Sequence, residues 1–494
     1  MSDGIITELS ALIAQNDHID RSTLREHNIA AGLRDEQGAG IIVGATGKGE
    51  VIGYDREKSA VIKGEEDPKF PDAFVVDPFE AFRVTHGYEP DEKQLNAFIP
   101  KLRTILDFKK VPLPGKLFYC GYDIEDLVEA HEDSFGFEEV SFLLLTGRLP
   151  AKNQLEAFSH DLKERRALPD GYKKRLLYQL ISSNMMNSLQ TAVDNLYETD
   201  QNPNSTKRED VLRHSLELIA KFPTILAYAY HAMMQKYRGV DFNIIDPSAE
   251  YTYAEDFMSL FRAGKGFTRD EALTLDRFLM LHAEHGGGNN STFTVRVVSS
   301  SETDTYSAIS SGLASLKGHL HGGANEDVVR MVKDMQTQIK DWKDQDEIFN
   351  YLCRWVRKEI GDHSGKIPGF GHAVYTRSDP RTAILREDAK RLAVKNGRID
   401  EFELLDISGS LAIRALKHVK GDNGKEIPQN VDFFSGFVLD CLGIPVELYT
   451  PLFATARVSG WCAHRLEQLE QNRIIRPAYF NVCPQRIYVP IEQR

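Results

Sequence analysis

Residues 445–470 read PVELYTPLFATARVSGWCAHRLEQLE, and their apolar side chains recur with the spacing of an α-helix. Pro445 precedes the periodic part, so the pattern predicts one long helix over Glu447–Glu470. Arg457 lies on this helix, with no acidic residue between its first turn and position 467. A cation on such an apolar helix is costly unless an anion meets it, so the sequence predicts a carboxylate beside Arg457. That carboxylate belongs either to a distant protein side chain or to a ligand.

The same helical period runs through much of the chain, so the predicted fold class is all-α. Thr268 and Glu271 form a capping box before one of these segments. The other predicted helices are Ala272–His285, Ala308–Lys317, Ala324–Trp342 and Asp379–Val394. Strand-like sequence is scarce, and its clearest case is a short N-terminal β-hairpin over Gly40–Tyr54. Residues from about 56 to 112 are rich in proline and are interpreted as an insertion, either an ordered one or a mobile surface element.

Composition excludes several classes of function. The 494 residues carry a net charge of −13 without a basic block, which argues against nucleic-acid binding. No apolar run is long enough for a membrane helix. The five cysteines are odd in number and contain no CxxC pair, which argues against a zinc ribbon or a disulfide framework and favours a reducing compartment. With no targeting signal recognised at the start, we expect a cytoplasmic location.

Two histidines stand directly before glycines. His285 lies in LHAEHGGGNNST (281–292), where glycine lets the backbone approach a ligand; the alternative is a satisfied histidine beside a C-capping glycine. His321 lies in KGHLHGGANED (317–327), just before a predicted helix start. The positive end of the helix dipole should keep His321 neutral, so that its N–H can hydrogen-bond an oxygen that becomes an enolate. A capping histidine is the alternative.

Two further segments place polar groups among glycines or apolar residues. In PGFGHAVYTRSDPR (368–381), His372 follows a glycine loop and Arg381 begins a helix, so the two could polarise a carbonyl and clamp a carboxylate. The alternative is a loop with a solvated arginine. In NVDFFSG (430–436), Asp432 is flanked by apolar residues, and partial desolvation would raise its pKa toward that of a useful base. It could instead be a plain N-cap.

The histidine pairs 282/285 and 319/321 have the HxxH and HxH spacing of some metal sites. No HExxH motif or cysteine accompanies them, and the nearby arginines would oppose a cation. The sequence therefore favours a site without a metal.

Taken together, five motifs resemble the citrate synthase family. They occur in the family's order: LHGGANE (320–326), PGFGHAVY with DPR (368–381), NVDFFSG (430–436), FATARVSGW (453–461) and RIIRP (473–477). The similarity runs from about Gly115 to Pro477. The resemblance implies a helical fold of two domains, with a large domain over 1–321 and 431–494 and a small domain over 322–430 that closes over the active site.

By that resemblance, three residues are catalytic. His321 would stabilise the enol of acetyl-CoA, Asp432 would take its methyl proton, and His372 would polarise the ketone of oxaloacetate. His285, Arg381 and Arg457 would hold oxaloacetate.

The remaining site residues follow from the same resemblance. Arg476 would reach in from a second subunit, which makes a homodimer the smallest assembly. CoA would contact Gly369, Phe370 and Gly371 together with Arg377, which stands one position beyond the family's usual basic residue.

The implied reaction joins acetyl-CoA and oxaloacetate and hydrolyses citryl-CoA, with acetyl-CoA as co-substrate and no bound cofactor or metal. The nearest alternative is a 2-methylcitrate synthase that uses propionyl-CoA. A catalytically silent, ligand-binding relative is the alternative from another class, and the intact His321, His372 and Asp432 argue against it.

Overall fold

The computed structural model describes residues 2–14, 50–52, 94, 115–241, 243–372, 374–375, 377–421, 427–470, 472–477, 487–488 and 490–494. Within these residues the protein is mainly helical. The helices are α1 (Ser2–Ala14), α2 (Ile124–Glu129), α3 (Phe137–Thr146), α4 (Lys152–Arg165), α5 (Asp170–Tyr178), α6 (Met185–Leu196), α7 (Arg208–Arg238), α8 (Tyr253–Phe261), α9 (Arg269–His282), α10 (Asn290–Ser299), α11 (Thr305–Leu316), α12 (Ala324–Gln338), α13 (Gln345–Val356), α14 (Pro380–Lys395), α15 (Ile399–Lys420), α16 (Asp432–Cys441) and α17 (Tyr449–Glu470).

The helices predicted from periodicity are present, with shifted ends. The capping box of Thr268 and Glu271 opens α9, which ends at His282 rather than at His285. Asp379 caps the first turn of α14, as its Asp-Pro sequence indicates. The last predicted helix begins two residues late, because Val446–Leu448 form a 3₁₀ turn before α17. Helix ends fray in this way, so such shifts do not change the fold class.

The β-structure is small. Strand β1 (Glu50–Ile52) pairs antiparallel with β2 (Lys116–Tyr119), and β2 pairs with β3 (Tyr122–Asp123). Of the hairpin predicted over 40–54, only β1 lies inside the described residues, and its observed partner is a strand more than sixty positions later. The predicted insertion over 56–112 lies outside the described residues, apart from Gln94.

Two long helices, α7 and α17, pack against each other in the core. Helix α7 buries most of its apolar face, and nineteen residues of α17 are buried, including charged ones such as Arg457. Because α17 packs against α3, α7, α9, α10 and α11, it brings its polar side chains to the ends of several other helices. Among the described helices, none has the length and apolar character required to cross a bilayer.

Candidate active site

Arg457 is the fully buried cation at the centre of the site. Its Nε donates to the carbonyl oxygen of His282 at 2.7 Å, and its guanidinium lies 4.6 Å above the ring of Phe453. Among the described residues, no protein atom accepts a hydrogen bond from its two terminal nitrogens. Burial lowers the pKa of Arg457 to about 10, which leaves it charged at neutral pH. Two buried guanidinium nitrogens are thus left without an acceptor among the described residues, and an anion would supply one.

His285 offers a second buried nitrogen. Its Nε2 has no hydrogen-bond partner among the described residues, so the satisfied-histidine alternative is not supported. Burial, followed by the charges of Arg381 and the neighbouring His372, lowers the pKa of His285 well below its usual value. The neutral ring packs edge-to-face on His372, with ring centres 5.0 Å apart. These contacts place the rings of His285 and His372 side by side in the site.

The backbone fixes the tautomer of His372. The amides of Val374 and Tyr375 both donate to Nδ1, at 3.0 and 2.9 Å. Burial and the charge of Arg381 lower the pKa of His372 to about 4, so the ring is neutral and its proton lies on Nε2. The loop histidine is therefore a hydrogen-bond donor held ready at Nε2, which suits the polarisation of a carbonyl.

Arg381 is not solvated. It is 3% exposed and makes a two-pronged ion pair with Asp379, with Nε and Nη2 donating at 2.9 and 2.7 Å. Burial alone would lower the pKa of Arg381, but Asp379 raises it above its usual value. Asp379 also accepts the amide of Val431 at 3.2 Å, directly before Asp432. One carboxylate therefore ties Arg381 to the start of α16.

Asp432 opens α16 and is partly buried. Burial raises its pKa to about 7, against the opposing charges of Arg381 and Arg457. The expected direction of this shift is confirmed, and the N-cap position belongs to Val431 instead. A carboxylate with a pKa near neutrality is well matched to proton abstraction at physiological pH.

His321 is neutral for a different reason from the one the sequence suggested. Burial and then Arg457 lower its pKa to about 4. The following helix is capped by Gly323 without a side-chain bond, so His321 does not cap it. The amide of Ser291 donates to His321 Nε2 at 3.3 Å. Because an amide can only donate, this bond favours the tautomer with the ring proton on Nδ1, and the Ser291 hydroxyl lies 2.9 Å from the same Nε2.

The glycine loop before His372 is joined to the segment before Asp432. Gly371 donates its amide to Pro428 O at 2.8 Å, and Gly369 O accepts the amide of Asn430 at 2.9 Å. Gly369 and Gly371 have φ values of +76° and +93°, which side chains rarely adopt. These bonds set His372 and Asp432 in one rigid unit.

Phe453 and Arg457 connect His321 and Asp432 with the rest of the site. The Phe453 ring contacts His282 and Arg457 and lies 6.4 Å from the ring of His321. The charge of Arg457 also lowers the pKa of both His321 and Asp432, so these two groups respond to the same buried cation.

Two predicted residues stand apart from this cluster. Arg377 is exposed beside the glycine loop, and Arg476 is exposed on the segment 472–477. Neither is buried with the histidines in this single chain.

One group of side chains has ligand-like spacing: atoms of His285, His372 and Asp379 lie within 4.8 Å of one another. Both oxygens of Asp379 already accept bonds from Arg381, and Arg457 adds a second positive charge nearby. The arrangement suits an anion better than a cation.

Several residues that shape the site carried no signal as single positions in the sequence. Asp379 was visible only as a helix-capping residue, and Ser291 as part of a polar run after three glycines. Glu284 follows the end of α9 and His464 lies on α17, far apart in sequence, and only the fold reveals their contact at 3.2 Å.

Comparison with known proteins agrees with this geometry. Residues 100–478 match the family model described as citrate synthase, C-terminal domain. The citrate synthase of Haloferax volcanii is 36% identical over 387 residues, which cover 77% of this chain and 93% of that protein. The chain belongs to the citrate synthase family. Members of this family are enzymes that condense acetyl-CoA and oxaloacetate to citrate.

Two further relatives of this citrate synthase family member are informative. The 2-methylcitrate synthase of Shewanella oneidensis is 35% identical and covers 76% of this chain and 92% of its own length. The solved structure of the Thermoplasma acidophilum citrate synthase is a ternary complex with carboxymethyl coenzyme A and oxaloacetate. It is 28% identical in sequence and has a TM-score of 0.63, and the match covers 77% of this chain and 93% of that one. The mainly helical fold is thus that of the family.

Proposed function

We propose that this protein is a citrate synthase in which Arg457, His285, Arg381 and His372 bind oxaloacetate while His321 and Asp432 enolise acetyl-CoA. The observation that carries the proposal is the pair of unpartnered nitrogens on Arg457, next to the unpartnered Nε2 of His285. Buried donors of this kind are costly unless a ligand completes them.

A dicarboxylate complements these buried donors. A ligand carboxylate accepts bonds from the two terminal nitrogens of Arg457, and the charge of Arg381 adds attraction for the second carboxylate. His372 Nε2–H then donates to the ketone oxygen, since its Nδ1 is already occupied by two backbone amides. Oxaloacetate combines two carboxylates and one ketone in a single small molecule.

Enolisation of acetyl-CoA uses two other residues, Asp432 and His321. Asp432, with its pKa near 7, takes a proton from the methyl carbon, and His321 Nδ1–H donates to the thioester oxygen as negative charge develops there. The neutral state of His321 matters, because a neutral donor does not lose its proton outright to the enolate.

Carbon–carbon bond formation follows from this placement. The enol carbon attacks the ketone carbon of oxaloacetate, the ketone oxygen becomes the citryl hydroxyl, and His372 supports the developing charge. Water then cleaves the thioester of citryl-CoA to give citrate and free CoA. None of these steps requires a metal.

The wider organisation is part of the same proposal. A small domain over 322–430 would close on a large domain over 1–321 and 431–494, excluding water from the enol. Gly369, Phe370, Gly371 and Arg377 would contact CoA, and the exposed Arg476 would complete the pocket of a second subunit in a homodimer. The odd number of cysteines and the lack of a CxxC pair in the sequence favour a cytoplasmic location.

A 2-methylcitrate synthase is the second candidate, because relatives of both names are almost equally similar to this chain, at 36% and 35% identity. One methylene in an apolar pocket changes selectivity by only about 1–3 kcal/mol. The acyl chain is therefore the least constrained feature of the substrate pair.

The decisive experiment follows release of free thiol from acetyl-CoA and from propionyl-CoA in parallel, with and without oxaloacetate. We expect oxaloacetate-dependent release with a higher kcat/KM for acetyl-CoA. A higher value for propionyl-CoA would establish the second candidate instead. Absence of release from both would refute the proposed reaction, and Asp432→Ala, which should retain oxaloacetate binding while losing turnover, serves as the matched control.

A further inference from the structure

Glu284 is a fully buried acid whose carboxylate the reaction does not use. Its Oε1 accepts the amide of the next residue, His285, at 2.7 Å. The hydroxyl of Tyr119 accepts the amide of Glu284 at 3.2 Å, and its proton is shared between the carbonyl oxygens of Met280 at 2.9 Å and Glu284 at 3.1 Å. Both the side chain and the backbone of Glu284 therefore act on the segment that carries His285.

The other oxygen of this carboxylate meets α17. His464 Nε2 lies 3.2 Å from Glu284 Oε2. Arg296 donates to His464 Nδ1 at 2.9 Å, and because a guanidinium can only donate, the ring proton lies on Nε2, facing Glu284. Burial alone would raise the pKa of Glu284, but His464 and then Arg457 hold it below its usual value. Glu284 is thus a carboxylate with a backbone donor on Oε1 and a close contact with His464 at Oε2, where neither Oε2 nor His464 Nε2 has a hydrogen-bond partner among the described residues.

A glycine makes room for this contact. A Cβ at Gly460 would overlap Glu284 Oε2 and the carbonyl oxygen of Ala283. Gly460 and His464 follow Arg457 by three and seven positions, so all three share one face of α17. The face of α17 that presents Arg457 to the ligand therefore also carries Gly460, which leaves room for Glu284, and His464, which contacts Glu284.

We propose that Glu284 and His464, seated at Gly460, form a positioning pair that fixes His285 relative to Arg457 and so sets the geometry of the oxaloacetate pocket. The inference rests on the proposed function, because it assigns the purpose of the pair through the ligand that His285 and Arg457 bind. Glu284 acts through its neighbours and does not itself touch the substrate.

Glu284→Gln tests this pair with almost no change in volume. If the amide oxygen accepts from His285, the NH₂ group faces the His464 N–H; if the amide is flipped, the NH₂ group faces the His285 N–H. His464 cannot exchange its tautomer without losing Arg296, so two donors meet in either case. The KM for oxaloacetate should rise by roughly 10- to 100-fold, because a displacement of about 1 Å has effects of this size. The KM for acetyl-CoA should change by less than about threefold.

Asp276→Asn is the matched control. Asp276 is also a buried acid, and it accepts the amides of Gly136 and Phe137 at the start of α3, away from the substrate wall. We expect this control to lower the melting temperature without raising the KM for oxaloacetate. A purely structural role for Glu284 would make the two variants behave alike.

His464→Asn covers the case in which E284Q does not fold. The shorter amide keeps an acceptor for Arg296 but withdraws the donor from Glu284. A selective rise in the KM for oxaloacetate is expected again. If the wild type is active, either of two results in the folded variants would overturn the positioning pair alone. One is an unchanged KM for oxaloacetate, and the other is an equal rise in the KM values for oxaloacetate and acetyl-CoA. An inactive wild type would overturn the proposed function and the pair together.

Discussion

Two buried arginines lie eight residues apart on α17, and they are held in opposite ways. Arg465 donates to Thr305 Oγ1 at 2.9 Å, Ser299 Oγ at 3.2 Å and Thr303 O at 2.6 Å, so each guanidinium nitrogen has a partner. Arg457 is bonded through Nε alone. Burial lowers the pKa of both to about 10. Equal burial with unequal satisfaction separates a structural cation from one that awaits a ligand.

The largest expected effect is on catalysis. Arg457→Leu should lower kcat/KM for oxaloacetate by roughly 100- to 1,000-fold, because loss of a buried charged donor costs about 2–5 kcal/mol. Its free energy of unfolding should stay near the wild-type value, since the substitution also removes a buried, incompletely bonded charge. Steady-state kinetics and urea unfolding measure the two quantities. Unchanged kinetics in a folded protein would contradict the distinction between the two arginines.

The reverse pattern is expected for the other arginine. Arg465→Leu should lower the free energy of unfolding by about 3 kcal/mol, because it leaves two hydroxyls and a carbonyl without their charged donor. The KM for oxaloacetate should stay within about twofold, since uncoupled sites act independently. If Arg465→Leu raised this KM as much as Arg457→Leu does, the two arginines would belong to one functional unit.

Ligand stabilisation gives a smaller, direct readout. Oxaloacetate at 100 times its Kd should stabilise the wild type and Arg465→Leu by about 2.7 kcal/mol. At the same concentration Arg457→Leu should gain little, because its affinity is reduced. Thermal unfolding with and without the ligand measures this difference. Equal gains in all three proteins would place the ligand away from Arg457.

The smallest effect concerns pH. Wild-type kcat should fall as pH drops below about 7, because Asp432 must be ionised to act as a base. Arg457 lowers the pKa of Asp432, so in Arg457→Leu the acidic limb of the pH profile should move to higher pH. Arg465→Leu should leave it in place. A limb that moves in neither variant would argue against Asp432 as the titrating base.

The raised pKa of Asp432 also affects stability. Its protonated form favours the folded state below the unfolded pKa, and this contribution is lost as pH rises through about 7. Activity and this contribution to stability therefore change in opposite directions across the same pH range. Such a trade-off is typical of a functional carboxylate that burial has tuned.

Sequence periodicity predicted the helices well where their ends carry chemical signals. The capping box at Thr268 and the Asp-Pro start at Asp379 both mark observed helix starts. The start of α17 was misplaced, because a 3₁₀ turn continues the same apolar pattern. Nothing in the sequence indicated that β1 pairs with β2, since pairing between distant strands is set by tertiary contacts; the rest of the hairpin predicted over 40–54 lies outside the described residues.

The sequence by itself determined that Arg457 lacks an acidic partner on its own helix, because residues that share a helix face are fixed by spacing. Only the tertiary structure decided which groups from other helices approach it. Asp379 forms an ion pair with Arg381, two amides place the proton of His372 on Nε2, and Glu284 lies against His464. These contacts join residues far apart in the chain, and their protonation depends on burial, which no local pattern encodes.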